Sequence, residues 1–138
     1  MYLLDTNVIS ESRKLYSGKA DANVTRWLNA TSPTQTFISV FTVFELELGI
    51  RRKERQDEKQ GKALRHWLET IILPGFVNRV LEPNVDVARL CAALHVPDPA
   101  RERDAWIAAT ALQNNLTVVT RNIADFEQTG ASLFNPWN

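Results

Sequence analysis

Met1-Tyr2-Leu3-Leu4-Asp5-Thr6-Asn7 passes from apolar residues straight into an acid, a hydroxyl and an amide. A short apolar run ahead of turn-forming polar residues is the pattern of a buried parallel strand leaving its sheet. Open α/β sheets place their ligand crevice outside the carboxyl ends of the strands, so Asp5 is expected at its mouth. Asp and Asn are also favoured helix N-caps, and Asp5 or Asn7 fits that role for the segment that follows. These residues admit both readings, and the remainder of the chain has to separate them.

Downstream, strand-like and helix-like segments alternate. Val24, Trp27 and Leu28 fall at helical spacing behind a cap at Asp21 or Asn23. Thr36–Ser39 is β-branched and aromatic enough for a second strand. A helix is expected from about Phe41 to Arg55, with Phe41, Phe44 and Leu48 along its apolar stripe. The polar segment Gln56–Lys62 is expected to break the chain ahead of a helix over Ala63–Leu73, whose inner face carries Leu64, Trp67, Leu68 and Ile71. Val77–Leu81 reads as a third strand, Val85–Leu94 as a helix, and His95–Arg103, with Pro97 and Pro99, as a loop. Asp104–Asn114 is a helix with Ile107, Ala108, Ala111 and Leu112 inward, and Leu116–Thr120 is a fourth strand. A short helix at Ala124–Gln128 and the segment Ser132-Leu133-Phe134 follow. The alternation predicts one α/β domain over residues 1–138, with three α/β/α layers around a twisted, mainly parallel sheet of four to five strands. Right-handed crossovers carry the ends of strands one, two and four to a common edge.

Charge and cysteine content narrow the function classes. The 16 basic and 16 acidic residues cancel, so a nucleic-acid role needs a local basic patch rather than a global field. The single Cys91 lies in an apolar run and is expected as a small core residue. No apolar run reaches the ~20 residues that span a bilayer, and no charged leader opens the chain, so a cytoplasmic protein without a membrane partner is expected.

The acids without an ordinary partner are the informative ones. Glu47 has Arg51 four residues later, the favourable order for a helical ion pair. Glu54 and Glu58 sit among cations on a solvated face. Glu45 has Phe41, Thr42, Leu48 and Gly49 for helical neighbours and no cation, and an unpaired carboxylate on an apolar stripe costs several kcal/mol. Asp104 opens a helix rich in alanine, where it is either an N-cap or an acid carried toward the strand ends. Asp5, Glu45 and Asp104 therefore converge at one edge, and gathered like charges call for a cation. An all-oxygen set suits Mg²⁺ or Mn²⁺ rather than zinc. His66 is expected on the surface, and His95 at a helix end, complementing its dipole.

These residues resemble a known family. Leu3-Leu4-Asp5-Thr6-Asn7, the segment Thr42–Gly49 around Glu45, the block Asp104–Ala111 and the segment Leu116–Phe126 are similar, in order, to the motifs of PIN domains. The nearest branch is the VapC toxin group, and the ending Phe134-Asn135-Pro136-Trp137 is similar to its FitB-like members. The resemblance implies a Mg²⁺- or Mn²⁺-dependent ribonuclease, the toxin of a type II toxin-antitoxin system. It also implies a cognate antitoxin and a homodimer, and a higher-order toxin-antitoxin complex that binds DNA. Asp5, Glu45 and Asp104 would be its catalytic and metal-binding acids. The chain departs from the pattern at Asn122, where many members carry an acid. Asn122 or Asp125 would then complete the site. RNA contacts are expected from Thr6, Thr120, Arg51, Arg52 and Arg121, with Lys53, Arg55, Arg13 and Lys14 as further cations nearby. Of two rival classes, a haloacid-dehalogenase-type phosphatase requires an acid where Asn7 stands. A catalytically silent module acting on DNA with an antitoxin is the second reading. Trp27 and Trp67 fit a core, whereas Trp106 and Trp137 have no evident place.

Overall fold

Alternation within the strands sets the layers. In β1 (Tyr2–Leu4), Leu3 and Leu4 point to opposite faces, as do Val118 and Val119 of β4 (Thr117–Val119). Leu4, Val119 and Ile38 of β2 (Thr36–Ser39) pack with Val8 and Ile9 of α1 (Thr6–Ser12) and with Leu46 and Ile50 of α3 (Val40–Gln56). Trp27 of α2 (Ala22–Ala30) and Trp67 of α4 (Glu58–Trp67) close the edge of that cluster, as their spacing implied. On the other face, Leu3 and Val118 meet Ile107, Ala108 and Ala111 of α7 (Glu102–Gln113). Val87 and Cys91 of α6 (Val85–Leu94) pack against Ala105 and Ala109 of α7, so the cysteine is a core residue.

The computed structural model describes residues Met1–Asn138. Its sheet has five parallel strands in the order β3-β2-β1-β4-β5, with β3 at Val80–Leu81 and β5 at Leu133–Phe134. The expected three-layer α/β architecture is the one found. The chain progresses outward from β1 to β3 on one side and from β4 to β5 on the other. The crevice between the carboxyl ends of β1 and β4 is therefore the topological switch point. No helix is long and apolar enough to cross a membrane.

Several local expectations are corrected. The polar segment Gln56–Lys62 does turn the chain, but at the single residue Asp57: α3 ends at Gln56, Asp57 caps α4 through Gln60 N at 3.1 Å, and α4 starts at Glu58, ahead of the expected Ala63. Arg65 orders this hairpin by a fork of 2.7 Å bonds to both oxygens of Glu47 and a 2.9 Å bond to Glu54. Its bonds hold the Glu47 carboxyl below the usual range, with Arg51 adding its own 2.7 Å contact. Beyond α4 a π turn, Leu68–Ile72, leads to the short α5 (Leu73–Gly75). The wider turn rotates Ile72 under Leu68 and leaves the expected Ile71 exposed at 46%. In α3 the buried face is Thr42, Leu46 and Ile50, while Phe44 of the expected stripe stands out at 54% exposure. The third strand shrinks to Val80–Leu81, because Asn78 turns the chain at φ 65°. The last helix expected at Ala124–Gln128 is a pair of 3-10 turns, Ile123–Asp125 and Glu127–Thr129. His95 does stand at the end of α6, as its C-cap, and its Nδ1 accepts a 3.0 Å bond from Ala100 N that ties the following loop.

The α3–α4 contact depends on glycine. A methyl on Gly61 would stand 2.6 Å from the Glu54 Cα, backbone that cannot yield without separating the helices. Gly61→Ala is expected to lower the unfolding free energy by about 1–3 kcal/mol through overpacking, outweighing the helix-propensity gain. Gly49→Ala, whose methyl meets nothing within 4 Å, is expected to raise it by about 1 kcal/mol. Urea denaturation of the two variants checks both signs.

Candidate functional site

Asp5 occupies the first position past β1, where its N–H still donates to Val119 O at 2.9 Å and extends the ladder. It fills both of the roles its sequence allowed. Oδ1 caps α1 by accepting from Thr6 N at 2.8 Å, and Oδ2 accepts from the Thr120 hydroxyl at 2.8 Å. Asn7 Nδ2 bridges the same pair, lying 3.4 Å from Asp5 Oδ2 and 3.3 Å from Thr120 Oγ1. Asn122 N completes the knot with a 3.0 Å bond to Thr120 Oγ1. Asp5 is only 6% exposed and Thr120 is fully buried.

Glu45 enters from α3, whose cap at Ser39 follows directly on the carboxyl end of β2. Its Oε1 accepts from the Thr6 hydroxyl at 2.9 Å, and its Oε2 lies 3.7 Å from the Arg103 guanidinium. The expectation of an unpaired carboxylate on an apolar stripe is thus corrected. Glu45 is half-buried at the crevice rim, and its partners come from segments too distant in sequence for helical spacing to reveal. Asp104 is not a cap, because α7 begins at Glu102 behind Arg101 and Asp104 is its third residue. Ala108 packs on the sheet with Leu3 and Val118 while Ala105 and Ala109 pack against α6, which seats that first turn between the two.

A cleft of about 490 Å³ joins these groups, lined by Asp5, Glu45, Asp104, Asn122 and Asp125 together with cationic side chains. Burial pushes the Asp5 carboxyl above its ordinary range, against the lowering effect of its bonds from Thr120 and Thr6; the charge of Asp125 adds to the rise. Asp104 is pushed up to about 6, first by burial and then by the charges of Asp5, Asp125 and Glu45. Asn122 stands in the cleft as an exposed amide. Asp125, whose N–H donates to Asn122 O at 3.1 Å, brings the charge that Asp5 and Asp104 both feel.

Not every expected residue arrives. Thr6 and Thr120 do: their hydroxyls donate to Glu45 and Asp5, and Thr6 lines the cleft. Arg51 is bound to Glu47, and neither Arg51 nor Arg52 lines the cleft; Arg51 lies about 9 Å further along α3 than Glu45. Arg121 and Lys14 do line it. Three contributors were missed: Asn7, Arg101 and Arg103. Arg101 reaches Asp125 Oδ2 at 3.6 Å as Arg103 reaches Glu45. Both precede Asp104 at alternate positions in a loop of mixed charge, and that pairing with an incoming acid was the available signal. Trp106 stacks on Phe41 at 5.3 Å, and Trp137 lines the cleft.

The raised Asp104 fixes the sign of a pH effect. The folded state holds this proton more tightly than the unfolded chain, whose Asp titrates near 3.8, so the group costs stability increasingly as pH rises from about 4 to about 6. Asp104→Asn is expected to raise Tm at neutral pH in chelating buffer and to flatten the gain that the wild type shows on acidification from pH 7 toward 5. Thermal melts across that range check it.

The sequence and the fold recur in known proteins. A family profile described as PIN domain matches residues 2–131. Toxin FitB of Neisseria gonorrhoeae is 36% identical over 143 residues, covering 100% of this chain and 99% of that protein. VapC ribonuclease Y4jK of Sinorhizobium fredii is 33% identical over 142 residues, covering 99% of this chain and 98% of that one. The crystal structure of FitAcB from Neisseria gonorrhoeae is similar at a TM-score of 0.90 and 35% identity, with 100% of this chain and 99% of that chain covered. With the family pattern spanning nearly its whole length, and its acids gathered at the switch point, this chain belongs to the PIN domain family.

Proposed function

We propose that this protein is the toxin of a type II toxin-antitoxin pair and hydrolyses RNA phosphodiester bonds with Mg²⁺ or Mn²⁺. The observation that carries the reading is the gathering of Asp5, Glu45, Asp104 and Asp125 in one crevice with the Asp104 carboxyl raised to about 6. Such repulsion is relieved by a cation, and the donor set contains oxygen but no His or Cys, which suits a hard divalent ion. No three acids stand as a closed ligand cage. Mg²⁺ does not require one, since it keeps several waters and is held by one or two carboxylates and substrate phosphates. Asp5 and Asp104 are the residues to hold it, with Glu45 and Asp125 at the rim and Asn122 offering an uncharged oxygen. The names of the similar proteins, a toxin and a VapC ribonuclease, support the same reading.

A divalent ion bound there supplies Lewis-acid polarisation of a phosphoryl oxygen and a lowered pKa for an attacking water. The chain's own contribution is orientation. Thr120, Asn7 and Thr6 fix the two oxygens of Asp5, while Thr6 and Arg103 fix those of Glu45. Asp104 must be ionised to act, so acidification, which sets protons against the cation for this carboxylate, withdraws it. An antitoxin would neutralise the toxin, and a homodimer is the assembly proposed. The exposed Phe44 beside the cleft is apolar surface of the kind a protein partner covers.

Purified, antitoxin-free protein is expected to cleave structured RNA with Mg²⁺ or Mn²⁺ and to stop in EDTA, with Asp5→Asn reduced to background. A folded protein that cleaves nothing under these conditions defeats the nuclease reading. Thr120→Val, which leaves every acid in place but frees Asp5 Oδ2, is expected to lose about 10–100-fold in activity or metal affinity. The cleavage rate is expected to fall on acidification, and at lower pH the higher the Mg²⁺ concentration, because protons and the cation compete for Asp104.

A further inference from the structure

The carboxylate cleft has cations on its walls, but most are already spoken for. Lys14 lies 3.1 Å from Glu11 and Arg101 lies 3.6 Å from Asp125, while beside the cleft Arg103 lies 3.7 Å from Glu45. Arg121 also lines the cleft and has no carboxylate within 4.0 Å. Its guanidinium instead lies 5.3 Å from the centroid of the Trp137 ring. That arrangement holds a cation in place without neutralising it: the ring restrains the guanidinium, and its charge and N–H donors stay available.

The support beneath is built from distant parts of the chain. Arg121 N donates to Asn7 Oδ1 at 3.2 Å, and Arg121 O accepts from Asn135 Nδ2 at 3.5 Å. Asn135 Oδ1 accepts from Trp137 N at 2.9 Å, and Trp137 O accepts from Asn23 Nδ2 at 2.8 Å. Trp137 also packs against the core cluster beneath the sheet. The residues Asn135-Pro136-Trp137 thereby fold back to form a wall of the site, which gives this terminal motif a purpose beyond closing the fold.

We propose that Arg121 is the docking point for a phosphate of single-stranded RNA next to the one cleaved, and that Trp137 is the positioning residue that aims it. This rests on the ribonuclease reading and identifies the group that holds the substrate backbone. A guanidinium fork matches a phosphodiester bidentately, whereas an ion-paired arginine would first have to release its acid. The assignment also explains how a chain of zero net charge meets a polyanion in an acidic cleft.

The test is fluorescence anisotropy of a short labelled single-stranded RNA in EDTA over a series of salt concentrations. Arg121→Gln is expected to weaken binding by about tenfold and to reduce the slope of log K against log salt by about 0.7, the loss of one phosphate contact. Trp137→Leu, which keeps apolar bulk but removes the aromatic face, is expected to weaken binding about threefold to fivefold, and Trp137→Phe to restore most of it. Wild-type affinity and slope in Arg121→Gln overturn the docking point. Equal weakening in Trp137→Leu and Trp137→Phe overturns the positioning role, because a purely structural residue would show no rescue by the ring. If the wild type binds while these variants match it, or if it binds no RNA in EDTA yet cleaves it with Mg²⁺, only this assignment falls; if it neither binds nor cleaves, the ribonuclease reading falls with it.

Discussion

The 2.8 Å hydrogen bond from the Thr120 hydroxyl to Asp5 joins the ends of β1 and β4, strands separated by most of the chain. An acid that is 6% exposed has its pKa raised by desolvation, and this bond opposes that rise by favouring the charged form. Thr6 N and Asn7 Nδ2 add two more donors, so Asp5 is both the cap that starts α1 and an oriented carboxylate. One side chain thus ties local structure to chemistry. Thr120 holds Asn122 N as well, which keeps the turn after β4 beside the crevice.

Around that bond the electrostatics are deliberately unbalanced. Asp104 and Asp125 approach Asp5 from α7 and from the turn after β4, and each adds charge that neither strand end neutralises. Arg101 and Arg103 sit at the rim and pair with Asp125 and Glu45, leaving Asp5 and Asp104 without a cationic contact. A site made only for stability would put a cation at its centre, where desolvation makes like charges most costly. The arrangement instead leaves the centre without a cation, and the divalent ion of the proposed function would supply one. The far end of α3 shows the opposite design: Arg65 gathers Glu47 and Glu54 into a closed network whose task is to pin two helices together.

Much of this was legible in the residues themselves. The pattern of apolar strands and alternating helices gave the layers, because burial on both faces leaves period and length as direct signatures. Asp5, Glu45 and Asp104 stood out as acids without ordinary helical partners, and the crossover rule alone sent them to one edge. Where the expectation failed, the cause was a non-local contact. The start of α4 at Glu58 rather than Ala63 was not visible in Gln56–Lys62 because its order comes from Glu47, Glu54 and the close approach of Gly61 to Glu54. Ile71 gave way to Ile72 because a π turn changes the period that the inner face was counted on. Glu45 looked unpaired because Thr6 and Arg103 come from other segments.

The sequence by itself determined the fold class, the direction of the strands and which acids leave the core, since each of these follows from local hydrophobic period and from the handedness of crossovers. Only the tertiary structure decided what those acids touch. Asp125 rather than Asn122 brings charge to the cluster, Asn7 turns out to brace it, and Trp137 reaches the cleft from the chain end. Those outcomes depend on side chains meeting across long separations, and Coulomb and hydrogen-bond energies act on distance in space, to which sequence spacing is blind beyond a helical turn.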